Sequence, residues 1–448
     1  MRHRAWRWLV SSSCFLAILI GATRPRYGGS LTVELSTAWS TLNPSEHLGD
    51  AIAESKREVI LPLIVETLVR LDSKGEVAPG LASAWQHDAD HKRWRFSLRP
   101  KVLFHDGEPL TAASAEPSLA ASLKHYFGEV TVSAGGQTIV IHCDRPMPDL
   151  LQQLARTRFS VFRSSEREPL IGTGPFRVTA WDPQRRLNLS AFDQYWNSRP
   201  FIDSVIINLG ASRAVGDIFD IPFAQTRRVL PEHTRIWASA SRELIAIEAV
   251  RVPPETFDAL DLVIDRGPMV NVLGQRRAEA AFGLLPQWLS GYAFLFNRSP
   301  DVASARQIAT RATAPLLSLS YPANDGFARS IAERVALNAR DAGIIVQPTD
   351  RTTGSMRLIR WSLESRDAAM ELQNIAGVLG LASETSSLDS SRPEELYQAE
   401  RRMLESHRII PVLYLPDLYG IAPRVHNWSQ AQQNGSFSLH LDNLWVEP

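Results

Sequence analysis

His105-Asp106 is the residue pair in this 448-residue chain most easily cast as an acid–base dyad or as half of a metal site. Gly107 follows it directly, and Asp-Gly supplies a tight turn that a β-branched residue would resist, so the pair reads as turn chemistry. Gly172-Thr173-Gly174 has the glycines of a phosphate loop but neither the lysine nor the longer spacing that cradles phosphate. Asp88/Asp90 and Asp258/Asp261 are the candidate carboxylate pairs, and acids so placed on loop or helix surfaces are ordinarily solvated. No H-E-x-x-H, G-x-S-x-G or C-x-x-C occurs, and the eleven histidines are scattered without ligand spacing. The residues that could do chemistry therefore predict a chain that is not an enzyme and needs no metal or cofactor.

Composition narrows the partners. Lys and Arg number 48, as do Asp and Glu, so no basic surplus exists to neutralise a phosphate backbone and nucleic acid is not expected as a partner. The length suits two or three domains, and 44% hydrophobic residues suffice for real cores. Twelve tryptophans are numerous enough that a few can line an aromatic ligand pocket while most are buried. Arg2, Arg4 and Arg7 precede an apolar run, Phe15 to Ile20, that ends at Gly21-Ala22, the layout of a secretory leader. The 16 uncharged residues from Trp8 to Thr23 fall short of the ~20 that span a bilayer, which leaves a cleaved leader and an N-terminal anchor as the two readings of residues 1–23. Cys14 sits after serines and before the apolar run, unlike a lipidation site, and Cys143 reads as a small core residue of the strand Thr138–Cys143.

The elements that must position any site alternate strands and helices. Trp94, Phe96 and Leu98 alternate with Arg93, Arg95 and Ser97, the period of a half-buried strand, and Val102 and Phe104 lead a second strand into the His105-Asp106-Gly107 turn. The helical spacing of Thr111–Phe127 accepts Pro117 only in an early turn. Phe327, Ile331, Val335 and Ala339 recur every fourth residue, predicting a helix from Asn324 or Asp325 that Gly343 closes. Strands at Leu316–Tyr321 and Ile344–Val346 would make a β-α-β unit with it, and a last helix, Glu394–Ser406, precedes a strand at Ile409–Leu415.

The order of residues adds more. Gly80–Ala112, with Leu81-Ala82, Trp85, Phe96-Ser97-Leu98-Arg99 and Phe104-His105-Asp106-Gly107, resembles the signature of the family 5 extracellular solute-binding proteins, the peptide- and nickel-binding receptors of ABC importers. Thr41-Leu42-Asn43-Pro44 is similar to that family's TLDP turn with Asn for Asp, and Glu66–Leu71 resembles its E-x-L-V-x-x-D helix. Ile171–Phe176 and Phe192–Trp196 resemble its GTGP[FY] and Y-W segments. Gly283–Pro286, Glu395–Glu400 and Ile410–Val412 fit more loosely.

The resemblance implies an α/β, type II periplasmic-binding-protein-like fold of the cluster C type. Residues 24–210 would form a discontinuous lobe one to which 416–448 return, and residues 211–415 would form lobe two, with the GTGPF turn at a lobe boundary. It implies ligand binding by Thr37 and Trp39 from lobe one, by Trp361, Glu364 and Asp367 from lobe two, and by Tyr414 near the second crossing. Trp39, Trp361 and Tyr414 each keep a packing alternative. In peptide-binding relatives an Asp of a W-x-x-D-x-x-DP segment meets the ligand amine. Here Trp361 and Asp367 match while Leu363-Glu364 stands where the first Asp belongs, so Glu364 either replaces that carboxylate or the amine site is absent. The implied function is extracytoplasmic capture of a peptide-like solute by a monomer and its delivery to the membrane subunits of an ABC importer. The alternative is a membrane-tethered sensor or degenerate receptor acting through a partner protein, and a secreted hydrolase lacks any supporting motif.

Overall fold

The computed structural model describes residues 25–72, 75–165, 168–213, 215–223, 230–312, 316–385, 388–428 and 438–447. The leader expected at residues 1–23 lies outside them. Among the described residues no helix is long and apolar enough to cross a membrane.

Alternating apolar side chains build the first unit. Arg93–Leu98 buries Trp94, Phe96 and Leu98 and exposes the residues between them, and it pairs antiparallel with both Ala82–His87 and Thr138–Cys143. Val130–Gly135 completes this four-stranded sheet. Cys143 is buried beside Ile139 and Ile141 as the alternation predicts, in a core that the helix Ala112–Phe127 closes through Ala115, Leu119 and Leu123. Thr111 caps that helix in a reciprocal box with Ser114, and Pro117 falls in its second turn.

A second sheet of eleven strands carries the rest. Its spatial order is Val346–Thr349, Leu317–Ser320, Met356–Ser362, Arg235–Ala249, Ile409–Ile421, Ile218–Asp220, Ser30–Glu34, Ser204–Asn208, Arg186–Ala191 and Phe176–Asp182, with Glu279–Ala280 added against Ile409–Ile421. One end rests on a core of Leu31, Val33, Leu189 and Val205 to which the C-terminal Leu439, Leu441 and Val446 return. The other end is covered on both faces. Ile245 and Ile247 point into one core with Ile331 and Val335, while Leu244 and Ala246 point into another with Leu372 and Leu396. Period-two geometry puts neighbours on opposite faces, which is why this strand is apolar throughout.

The β-α-β unit forms, with Leu317–Ser320 and Val346–Thr349 parallel around the helix Gly326–Asp341. Asp325 caps the helix through the Phe327 and Ala328 N–H groups. Gly343 takes φ +79°, and Ile344 N–H closes onto Ala339 O at 3.0 Å. Because Ile344 is spent on that closure, the second strand begins at Val346 and not at Ile344.

Two further expectations shift. Glu66–Leu71 is not helical: Val69–Leu71 forms a hairpin with Val77–Pro79 and Glu66 bridges Val161, since so short a run gains more from a paired edge than from an unnucleated turn of helix. Val102–Phe104 forms no full strand, only a bridge from Leu103 to Pro109 around the Gly107 turn.

His105 explains that turn. Its imidazole is buried; Nδ1 accepts the Gly172 N–H at 3.2 Å and Nε2 donates to Gly174 O at 3.0 Å. Gly172 and Gly174 are required because a Cβ would lie 1.9 Å from Ile64 O and 2.7 Å from Ile64 C, respectively. The FHDG and GTGP segments are thus one structural joint. It lies between two cores, with Ile171 in one and Phe176 in the other.

Burial pushes the His105 imidazole down to about 4, against the bond to Gly174 that favours its charged form. The folded state therefore binds fewer protons than the unfolded chain between pH about 6.5 and about 4. Its contribution is complete above that window and is lost as pH falls through it, by about 3 kcal/mol at most. His105→Gln should be less stable than the parent at pH 7, and the gap in melting temperature should close as the pH is taken to 4. A gap independent of pH would remove the histidine from this role.

Candidate functional site

At the crossings expected between lobes, two long strands run antiparallel, Arg235–Ala249 and Ile409–Ile421. Their register shifts between Ala238 and Ser241 and again between Ser241 and Glu243, opposite Pro416. Beside this slip sits a buried charge cluster. Lys56, on the helix Ala51–Ile60, places Nζ 2.6 Å from Asp417 Oδ1, and Arg242 Nη1 lies 3.2 Å from Asp417 Oδ2. Arg242 also donates to Ser55 Oγ at 3.3 Å and to Leu363 O at 3.5 Å. Burial alone would raise the Asp417 carboxyl, but Lys56 and Arg242 outweigh it and hold the group down at about 2. Lys56 is raised: burial opposes its charge and the Asp417 carboxylate overrides that.

In front of this cluster lies a cavity of about 710 Å³ walled by both lobes. One group of its lining residues is Glu66, Arg99, Trp196 and His440; another is Glu58, Arg156, Arg242, Glu364 and Arg366. In the second group, Arg156 Nη2 lies 2.7 Å from Glu364 Oε2, and Arg158 Nη2, from behind the cavity wall, reaches the same oxygen at 2.5 Å. Arg158 stands 3.9 Å from Glu58 and 4.9 Å from the centre of the Tyr126 ring. Both arginines belong to the short turn that follows the helix Leu150–Leu154, so they come from lobe one. Glu364 comes from the loop after Met356–Ser362 in lobe two. That loop is shaped by Glu371, whose buried carboxylate accepts the Glu364 N–H at 3.0 Å, the Ser365 N–H at 2.6 Å and Trp361 Nε1 at 3.4 Å. Burial lifts Glu58 and Glu371 each to about 7, with the Glu364 charge adding to both.

Of the six residues expected to bind ligand, only Glu364 lines the cavity. Trp39 is 2% exposed and fills the lobe-one core, and Thr37 closes the adjacent turn through its carbonyl to Gly210 N–H. Trp361 packs against the lobe-two core and donates to Glu371. Asp367 caps the helix Ala368–Leu379 through the Met370 N–H at 2.9 Å. Tyr414 is buried, with its hydroxyl donating to Gly283 O at 2.6 Å. Arg156, Arg158, Arg242 and Arg366 were missed. For the first two the signal was a pair of cations, Arg156-Thr157-Arg158, running straight into buried Phe159; Arg242 and Arg366 sit among polar neighbours and carry no such signal. Asp88, Asp90, Asp258 and Asp261 do not converge on a shared site, and no cluster of three or more potential metal ligands forms among the described residues.

The motif segments meet at buried carboxylates. Glu66 accepts from Thr173 Oγ1 at 2.8 Å, Tyr195 Oη at 3.0 Å and Trp196 Nε1 at 2.9 Å, and Arg99 stacks 4.4 Å over Trp196. Four separated segments of the sequence signature thereby meet on one wall of the cavity. Comparison with known proteins agrees. The model of the bacterial extracellular solute-binding proteins, family 5 Middle, matches residues 76–216. Over that stretch the chain is similar to the family 5 extracellular solute-binding proteins. The nickel-binding periplasmic protein of Escherichia coli is 25% identical over 370 residues, 69% of this chain and 70% of that one. The nickel-binding protein NikA of Staphylococcus aureus is 24% identical over 152 residues, a match that spans 32% of the chain and only 31% of NikA. Among solved structures, the periplasmic binding protein DppA of Helicobacter pylori, in complex with the peptide STSA, superposes with a TM-score of 0.75 at 16% identity, covering 95% of this chain and 99% of that one. The two-lobed type II fold that the resemblance implies is thus the one the chain has.

Removing the charge at Asp417 would leave two buried cations facing each other. Asp417→Asn should destabilise the protein by about 3–5 kcal/mol in urea denaturation. The double variant with Lys56→Met should recover part of that loss. Because the folded carboxyl titrates near 2, the triad's contribution is complete above the unfolded value of about 3.9 and disappears as pH falls through about 2.

Proposed function

We propose that this chain is an extracytoplasmic receptor that captures a peptide-like solute between its lobes and delivers it to the membrane subunits of an ABC importer, acting as a monomer and without chemistry on the solute. The observation that carries the reading is the cavity of about 710 Å³ walled by Arg156 from one lobe and by Arg242, Glu364 and Arg366 from the other. Its volume falls within the ~300–1,000 Å³ of small-ligand sites. Guanidiniums from two lobes suit a ligand carboxylate, Glu364 suits an amine, and burying either ligand charge requires such a partner. A ligand that touches both lobes is the kind that favours the closed form. The relatives bearing nickel in their names and the DppA–peptide complex place metal chelates and peptides first among the solutes to try.

A second reading has its own observation. Asp367 is committed to a helix cap and Glu364 to Arg156 and Arg158, so both lobe-two carboxylates already have partners. That favours a sensor or degenerate receptor that acts through a partner protein.

A thermal-melt screen of residues 24–448 against di-, tri- and longer peptides, with sugars and nickel–histidine as comparators, separates the two. A ligand at 100 times its dissociation constant adds about 2.7 kcal/mol to the folded state. Peptides alone should raise the melting temperature, and Arg158→Ala should abolish the rise. A rise with only another solute class would replace the peptide-like assignment, and no rise with any class would bring forward the sensor reading.

A further inference from the structure

The pairing of Glu364 with Arg156 and Arg158 joins two separately packed bodies. Phe159, next to Arg158, is in the core of the four-stranded unit, while Leu363, next to Glu364, is in a core of lobe two. Each side is held before the pair forms. Glu371 fixes the Glu364 and Ser365 amides. Arg156 Nη1 donates to Gln153 Oε1 at 3.3 Å, the Arg158 carbonyl accepts from Ser45 Oγ at 3.1 Å, and the Arg158 guanidinium stacks on Tyr126. The arginine side chains are only 9% and 12% exposed and that of Glu364 25%, so the pair is poorly hydrated and not easily screened.

We propose that Arg156, Arg158 and Glu364 form a latch that holds the empty receptor closed, and that a zwitterionic ligand enters by exchange, its carboxylate taking the two guanidiniums and its ammonium taking Glu364. The argument is one of charge conservation. A simple anion that displaced Glu364 would strand a carboxylate in the cavity wall, and a simple cation would strand two guanidiniums; either outcome is costly where water is sparse. A ligand bearing both charges converts one ion pair into two and strands nothing. The latch itself needs no ligand. The exchange rests on the binding reading above and narrows it to solutes that carry a free amine and a free carboxylate.

Small-angle scattering of the ligand-free protein tests the latch. The parent should be compact at 0.1 M NaCl, and Glu364→Gln and the double variant Arg156→Gln/Arg158→Gln should both show a larger radius of gyration. An unchanged radius in both variants would overturn the latch. Thermal melts with triglycine, N-acetyltriglycine, succinate and putrescine test the exchange. Triglycine alone should stabilise the parent, and Glu364→Gln should bind N-acetyltriglycine several-fold more tightly than the parent does. Equal stabilisation of the parent by N-acetyltriglycine or succinate would overturn the exchange, as would no response to any of the four. Because scattering reads the latch without ligand, its failure is distinguishable from failure of the binding reading, in which the variants expand as expected while every peptide leaves the melting temperature unchanged.

Discussion

A carboxylate shared by two cations at the crossing strands is the constraint on which the rest of the molecule depends. Asp417 lies on one crossing strand, Arg242 on the other, and Lys56 on a helix of lobe one. The three charges therefore tie both crossings to a single point. A buried ion cluster of this kind contributes little net stability compared with well-packed hydrophobic residues. What it contributes is position. Arg242 also reaches Leu363 O, one residue before Glu364, so the same cluster locates the lobe-two wall of the cavity.

The principle recurs at smaller scale. Arg57 caps the carbonyls of Asn43 and Glu46, holding the TLNP turn to its helix. Glu66 gathers Thr173, Tyr195 and Trp196, and Glu400 accepts the amides of Leu284 and Leu285 together with the Tyr292 hydroxyl. Burial raises Glu66 and Glu400 to about 7 against those stabilising bonds. Arg57 and Glu400 satisfy backbone groups that would otherwise face the interior unpaired, and Glu66 does the same for three side chains. The short motifs that carry the family resemblance are thus largely joints of the scaffold.

Local patterns made much of the fold legible in advance. The alternation at Trp94, Phe96 and Leu98 and the fourfold recurrence from Phe327 to Ala339 are dictated by which faces must be dry, a property of neighbours in sequence. The strand from Ile409 runs six residues past its expected end at Leu415 because Pro416, which reads as a breaker, falls at the register slip opposite Ser241 where no ladder bond is demanded of it. Glu66–Leu71 was misread because its hairpin partner, not its own composition, decided its state. The site was less legible for a related reason. Arg158 and Glu364 are 206 positions apart, and nothing local to either records the other. Aromatic residues such as Trp39 and Tyr414 drew attention as pocket walls, yet their large apolar surfaces fit cores equally well, and cores are where they lie.

The register slip between the crossing strands has a kinetic consequence. The ladder shifts register on both sides of Ser241 and again between Ile245 and Ala246, so the sheet already carries irregularity along the crossing strands. Bending there asks few backbone hydrogen bonds to break. In the proposed receptor the barrier between open and closed forms then resides in side-chain ion pairs, which single substitutions change without touching the sheet. On that reading the rate of cargo release is an evolvable quantity, adjustable residue by residue on an architecture that stays the same.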